Sequence, residues 1–271
     1  METQVEMPSQ LKDRLRPFVP QPVIAVRRAV IKSVRRARAE WPLVALQVGR
    51  LGTLDYRRRG VLARRLLDAH AHIQCAHTHE EMVRIVRAIF AVPDDLPGCI
   101  VEAGCFKGGS TAKLSIVAAE VGRRLIVFDS FEGIPENDEP HDTTIFGDQA
   151  RFEKGSYAGR LSEVTDNVDR WGDLSVCEMV PGWFDDTMPS FRDPVAVGFI
   201  DVDLASSTRT CLEQLYPRLI PGGVLFSHDG HLPLCIEVLR DRAMWERIGG
   251  PSPIISGLGT DKLVAIRKPR Q

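Results

Sequence analysis

The sequence predicts an α/β fold: a mostly parallel sheet of seven strands whose last strand runs antiparallel, preceded by a helical N-terminal extension. Three observations carry that expectation. From Cys99 onward, short β-branched runs alternate with helical stretches, which requires crossovers between parallel strands. Only "GLGTD" separates the final two runs, too short for a helical crossover, so the last strand must pair antiparallel with its predecessor. The chain has 271 residues, 44% of them hydrophobic, and can bury a large core with an extension attached.

Taken in order, residues 1–22 carry Pro8, Pro17, Pro20 and Pro22 among polar residues and read as an arm. From Val23 the positions Val23, Val26, Val30, Val34 and Ala37 recur at helical spacing, with Arg28, Lys32 and Arg35 opposite. That apolar stripe lacks Trp and Phe, so the helix suits packing on its own domain or a second subunit better than a membrane surface. Further helices are expected over about 60–75 and 79–91, the second opened by Thr78 and Glu81 at capping-box spacing. The strands are "CIVEA", "RLIVFD", "LSVCEMV", "VAVGFIDVD", "GGVLFSHD", "SPIIS" and "KLVAIRK". Residues 1–94 are thus expected to cover a substrate or mediate self-association, and residues 95–271 to form the domain that carries the sheet.

Composition excludes several classes. The formal net charge of −1 gives no basic footprint of the kind nucleic-acid binders show. Charge is uneven, with nine Lys or Arg against the single Asp13 in residues 12–38 and an acidic run over 129–148. Six scattered cysteines form no C-x-x-C pair, which argues against a zinc ribbon or disulfide framework and for a reduced cytoplasm. "METQVEMPSQ" lacks the basic and apolar regions of a signal peptide, and no run of 18 apolar residues suggests a membrane span.

In "VEAGCFKGGST", Gly104, Gly108 and Gly109 lie between a strand and a helix from about Ser110, where glycine lets a ligand approach the backbone and meet free helix N–H groups. Asp129 ends the next strand, where open α/β sheets place a carboxylate to hold ribose hydroxyls. The spacing departs from the G-x-G-x-x-G of nicotinamide enzymes, which argues against an NAD-dependent oxidoreductase. Glu102 beside the turn would repel a pyrophosphate and attract a cationic sulfonium, which points to S-adenosylmethionine.

"VEAGCFKGGS", "FDSFEGIP", "VPGWFDDTMP" and "IDVDLASST" followed by "LYPRLIPGGVLFSHD" resemble the macrocin O-methyltransferase family over about residues 95–268. The resemblance implies a Rossmann-like fold and methyl transfer from S-adenosylmethionine to sugar hydroxyls in antibiotic biosynthesis. It places Glu102, Gly104, Ser110, Asp129 and Ser130 around the cofactor and Gly182, Trp183 and Phe184 near its adenine, although Trp183 equally suits an aromatic core position.

Asp201 and Asp203 end one strand and His228, Asp229 and His231 end the following one, an oxygen-rich cluster that suits a hard divalent cation. The resemblance implies Mg²⁺ there, with two departures: His228 stands where the family has an acidic residue, and Ala205 where it has an aromatic one. Three readings stay open. The site holds Mg²⁺ on Asp201 and Asp229, prefers Mn²⁺ or Fe²⁺ with His228 as a ligand, or has lost its metal and uses His228 as a base. The last would permit a non-catalytic methyltransferase-like binding protein. Asp203 also suits a cap on the helix near Ser206. The base candidates are His141, His228 and His231, with His141 in the segment 134–157 that reads as a lid. In "HAHIQCAHTH", His70, His72, Cys75, His77 and His79 invite a zinc reading, but their i, i+2 pairs fall on different helix faces, so they are expected at a helix surface or junction.

Overall fold

All seven runs form strands in the computed structural model: β1 (Cys99–Ala103), β2 (Leu125–Asp129), β3 (Cys177–Pro181), β4 (Val195–Ile200), β5 (Leu219–Ser227), β6 (Ile254–Ser256) and β7 (Val264–Arg267). They make one sheet in the order β3-β2-β1-β4-β5-β7-β6. Strands β1 to β5 pair in parallel, and β7 is antiparallel to both β5 and β6. The direction of winding reverses between β1 and β4, and in such sheets the crevice at that switch point is where ligands sit.

The structure describes residues 51–270 together with Glu40, Trp41, Leu43 and Leu46. The arm and the valine-striped helix lie outside the described residues. Residues 43–271 form one compact unit. Its helices are α1 (Tyr56–His72), α2 (His79–Phe90), α3 (Gly109–Glu120), α4 (Leu161–Trp171), α5 (Phe184–Thr187), α6 (Ala205–Leu215), α7 (Pro233–Arg240) and α8 (Arg242–Ile248). Among the described residues no helix is long and apolar enough to cross a membrane.

Alternation along the strands divides the core between the two faces of the sheet. Leu125 and Val127 of β2 enter a core shared with Leu62 and Leu66 of α1, Ile85 of α2 and Leu114 of α3. Ile126 and Phe128 enter the opposite core, with Leu212 and Leu215 of α6 and Leu239 of α7. Burial on both faces explains why these strands read as near-continuous apolar runs. Helices α1 and α2, grouped in sequence with the arm, therefore share a core with the sheet.

Local signals set the helix ends. The capping box of α2 is formed, with the Glu81 amide donating to Thr78 Oγ1 at 3.2 Å and the Thr78 amide donating to Glu81 Oε2 at 2.7 Å. Helix α1 stops at His72, short of the expected residue 75, because Ile73 is extended at φ −115 and ψ 128. Asp203 does not cap α6. The amides of Ala205 and Ser206 donate instead to the two oxygens of Glu139, at 2.7 and 2.9 Å, from the segment expected to form a lid.

Candidate functional site

One pocket collects the strand ends on both sides of the switch point. Gly104 ends β1 at φ +82, and a Cβ there would lie 2.0 Å from the Asp201 carbonyl oxygen, so only glycine lets the ends of β1 and β4 approach this closely. Gly108 caps α3 in the left-handed conformation without a side-chain hydrogen bond. Gly104, Gly109 and Ser110 line the pocket, as do Asp129, Ser130, Gly182, Trp183 and Phe184, whereas Gly108 shapes the turn from behind. Trp183 is 37% exposed, which suits a rim and rules out the core position.

The Asp129 carboxylate is fixed by two backbone donors, the amide of Cys105 at 2.6 Å on one oxygen and that of Phe131 at 2.7 Å on the other. Each oxygen keeps a lone pair for a ligand hydroxyl. Glu102 is fully buried beneath the turn, and neither of its oxygens has a hydrogen-bond partner. Burial dominates the other influences on it and pushes its pKa up to about 8. Glu102, expected from the sequence to meet the cofactor, thus lies behind the pocket wall.

At the ends of β4 and β5, carboxylate oxygens of Asp201, Asp203 and Asp229 all lie within 4.8 Å of one another. Asp229 Oδ2 accepts from the amides of Val202 and Asp203, at 3.1 and 3.3 Å, while its Oδ1 is buried without a partner. Burial, then the other carboxylates, pushes both Asp203 and Asp229 upward. Asp203 holds φ +61, and Phe106, Phe131 and Tyr157 are the other non-glycine residues at positive φ; three of the four line the pocket. Backbone strain of this kind gathers at ligand sites.

His228 does not join the three carboxylates. Its Nδ1 lies 3.1 Å from Asp201 Oδ1 and its Nε2 3.4 Å from Glu81 Oε2, so both ring nitrogens face carboxylates. Burial opposes its charge, but Asp201 and Glu81 outweigh burial and raise its pKa to about 10, making it an imidazolium. Asp201 in turn is held below the usual carboxylate range, since His228 overcomes the effect of its burial. Glu81 was not legible as a partner of His228, because its visible role was the capping box.

The other histidines separate as well. The side chain of His141 is enclosed in the lid, with Nε2 3.0 Å from Glu139 and its ring edge-on to Phe152, off the pocket wall. His231 lines the pocket, and burial followed by Lys262 lowers its pKa to about 4. Sequence reasoning also missed the wall formed by Gln74, Cys75, Ala76 and His77. Because α1 ends at His72, this segment folds back and brings ligand atoms of His70, Cys75 and His77 within 4.8 Å of one another. The histidines were expected at a helix surface or junction: the junction is where Cys75 and His77 lie, but His77 is buried there and not at a surface.

The family model described as macrocin-O-methyltransferase (TylF) matches residues 70–256, more than half of the chain. The chain belongs to this family. It is therefore an O-methyltransferase whose methyl donor is S-adenosylmethionine. A tetracenomycin-C 4'-O-methyltransferase of Streptomyces olivaceus, acting on an 8-demethyl-8-(2,3-dimethoxy-alpha-L-rhamnosyl) derivative, is 33% identical over 193 residues, covering 68% of this chain and 74% of the relative. The mycinamicin III 3''-O-methyltransferase of Micromonospora griseorubida is 34% identical over 159 residues, 56% of this chain and 62% of that enzyme. Among solved structures, the O-methyltransferase NovP aligns with a TM-score of 0.60 and 26% identity over 72% of this chain and 84% of its own. CalS11, a calicheamicin methyltransferase, shares the fold at a TM-score of 0.54 and 16% identity over 86% of this chain and 92% of its own.

Proposed function

We propose that this methyltransferase modifies a hydroxyl on the sugar of a small glycosylated natural product in antibiotic biosynthesis, with a divalent cation at Asp201, Asp203 and Asp229. One observation carries the reading: the glycine turn with Asp129 opens into the same pocket as Asp201 and Asp203, with Asp229 buried just behind them, so a donor at one end and a polar acceptor at the other would meet. The bound donor supplies an electrophilic methyl on a sulfonium. A hard cation suits the all-oxygen set and the orphaned Oδ1 of Asp229, and when bound it supplies Lewis acidity toward an approaching oxygen.

The chain's own residues do the positioning. Asp129 holds the ribose hydroxyls, and Trp183 covers the adenine at the rim. His228, clamped between Glu81 and Asp201, fixes the orientation of Asp201 and is unavailable as a base. His231 is the base candidate on the pocket wall and, neutral at pH 7, accepts the hydroxyl proton on its imidazole. The lid, hooked by Glu139 to the start of α6, excludes water. Residues 1–94 complete the acceptor cover or mediate self-association, and the six free cysteines fit a cytoplasmic protein.

The test is a radiolabelled methyl-transfer assay over a panel of glycosylated natural products, with and without EDTA. Labelled sugar that disappears on chelation and returns with Mg²⁺ is expected, together with a loss on the order of a hundredfold for Asp229→Asn. Transfer only to unglycosylated acceptors would sink the acceptor assignment, and transfer indifferent to EDTA would sink the metal.

A further inference from the structure

The second cluster on the pocket wall has no part in this scheme. Lys113 of α3 is 1% exposed, yet its ammonium hydrogen-bonds to no carboxylate among the described residues. Its Nζ lies 2.7 Å from His77 Nε2, 3.0 Å from His70 Nδ1 and 3.3 Å from Cys75 Sγ. Three ligand atoms and the lysine's own Cε surround one cationic nitrogen, the arrangement that a four-coordinate metal takes with a His₂Cys set.

We propose that His70, Cys75 and His77 form a second metal site, selective for a soft divalent cation such as Zn²⁺, in which the Lys113 ammonium is the resident that the metal displaces. Imidazole and thiolate donors select against Mg²⁺ and for Zn²⁺ or Co²⁺, so this site and the carboxylate cluster sort different ions. Each ligand atom would move inward by roughly 1 Å or less to reach metal distances. The segment from Ile73 to Thr78 lies outside helices and strands and can supply that movement. Cys75 and His77 line the pocket and Lys113 does not, so the metal reaches the ligands from the pocket side while the lysine withdraws behind them.

The experiment is titration of Co²⁺ into the full chain in the presence of excess Mg²⁺, which occupies the carboxylate cluster. One equivalent of cobalt should develop thiolate-to-cobalt charge-transfer absorption that Zn²⁺ then erases. Cys75→Ser should lose the band, Asp229→Asn should keep it, and Lys113→Met should bind cobalt at least tenfold more tightly because the competing cation is gone. Absence of the band in the native chain, or its survival in Cys75→Ser, overturns the site. A Lys113→Met protein that folds and binds no more tightly overturns the displacement. Should that variant fail to fold, the native chain and Cys75→Ser still decide the site, and Lys113→Gln decides the displacement. None of these readouts requires methyl transfer, so failure here leaves the proposed reaction standing, and the reverse also holds.

Discussion

Two clusters reach the wall of this pocket, one through Asp201 and Asp203 and the other through Cys75 and His77, and they are electrically opposite. Asp201, Asp203 and Asp229 crowd negative charge at the ends of β4 and β5, and His228, which contacts Asp201, and Lys262 balance only part of it. His70, Cys75 and His77 offer neutral lone pairs to a cation that the chain itself supplies, Lys113. The first is incomplete without a partner. The second is complete until something displaces its lysine. A pocket wall can thus prepare for a cation either by leaving charge unbalanced or by lending a side chain to hold the place.

The largest expected effect falls on the joint that aligns the carboxylates with the donor. Gly104→Ala puts a Cβ against the Asp201 carbonyl at a positive φ, so it should cost about 3 kcal/mol of stability and abolish donor binding, read by denaturant unfolding and calorimetry. A folded Gly104→Ala with native donor affinity would refute the close approach of β1 and β4. Next in size is a pair of opposite signs, measured in EDTA. Lys113→Met strands the buried His77 Nε2 and removes the shared donor of half-buried His70 and Cys75, and should lower stability by about 2 kcal/mol. Asp203→Asn relieves repulsion in the other cluster and should raise it by about 1 kcal/mol while methyl transfer falls. The same sign in both variants would erase the contrast.

That contrast was only half legible beforehand. The strands, their antiparallel finish and the capping box follow from local periodicity, and each appears where the pattern puts it, from Cys99 to Arg267. Gly104, Asp129 and Asp201 were legible because strand-end positions in a parallel sheet converge whatever the details. Lys113 was not, since nothing local distinguishes a buried lysine from a solvated one on α3. Glu81 and His228 meet only because α2 packs across the ends of β4 and β5, a contact between distant segments. His77 was expected at a helix surface or junction and lies in the junction, but its burial follows from the early stop of α1 at the extended Ile73, which periodicity cannot register.

The pH dependence of stability sharpens the incomplete side. Glu102 has its folded pKa raised to about 8, so between the unfolded value near 4.5 and about 8 the folded state keeps a proton that the unfolded chain releases. Stability must then fall as pH rises through that window, by about 1.4 kcal/mol per unit. His228, raised to about 10 by Asp201 and Glu81 against its burial, adds the same sign above pH 6.5. His70 and His231, both lowered to about 4, act oppositely but only below about pH 6.5. In donor-free protein, unfolding free energy between pH 6.5 and 8 should therefore decline, and Glu102→Gln should flatten the slope. A native slope near zero would mean that Glu102 already has a partner.

The smallest effect concerns the lid, whose Glu139 holds it to the incomplete cluster's side. Glu139 caps α6 from a distance, accepting from the Ala205 and Ser206 amides, and its Oε2 also meets His141 Nε2. The enclosed imidazole is thereby a brace for the cap. Glu139→Gln weakens acceptors facing two backbone donors and should cost about 1 kcal/mol, as removal of an N-cap does. Because the donor end of the pocket is untouched, KM for the acceptor should rise several-fold while donor affinity and cobalt binding at Cys75 stay unchanged. His141→Gln should follow in the same direction with a smaller change and an unaltered pH profile. A bell-shaped profile that collapses to one limb in His141→Gln would move the base from His231 onto the lid and make the lid part of the chemistry.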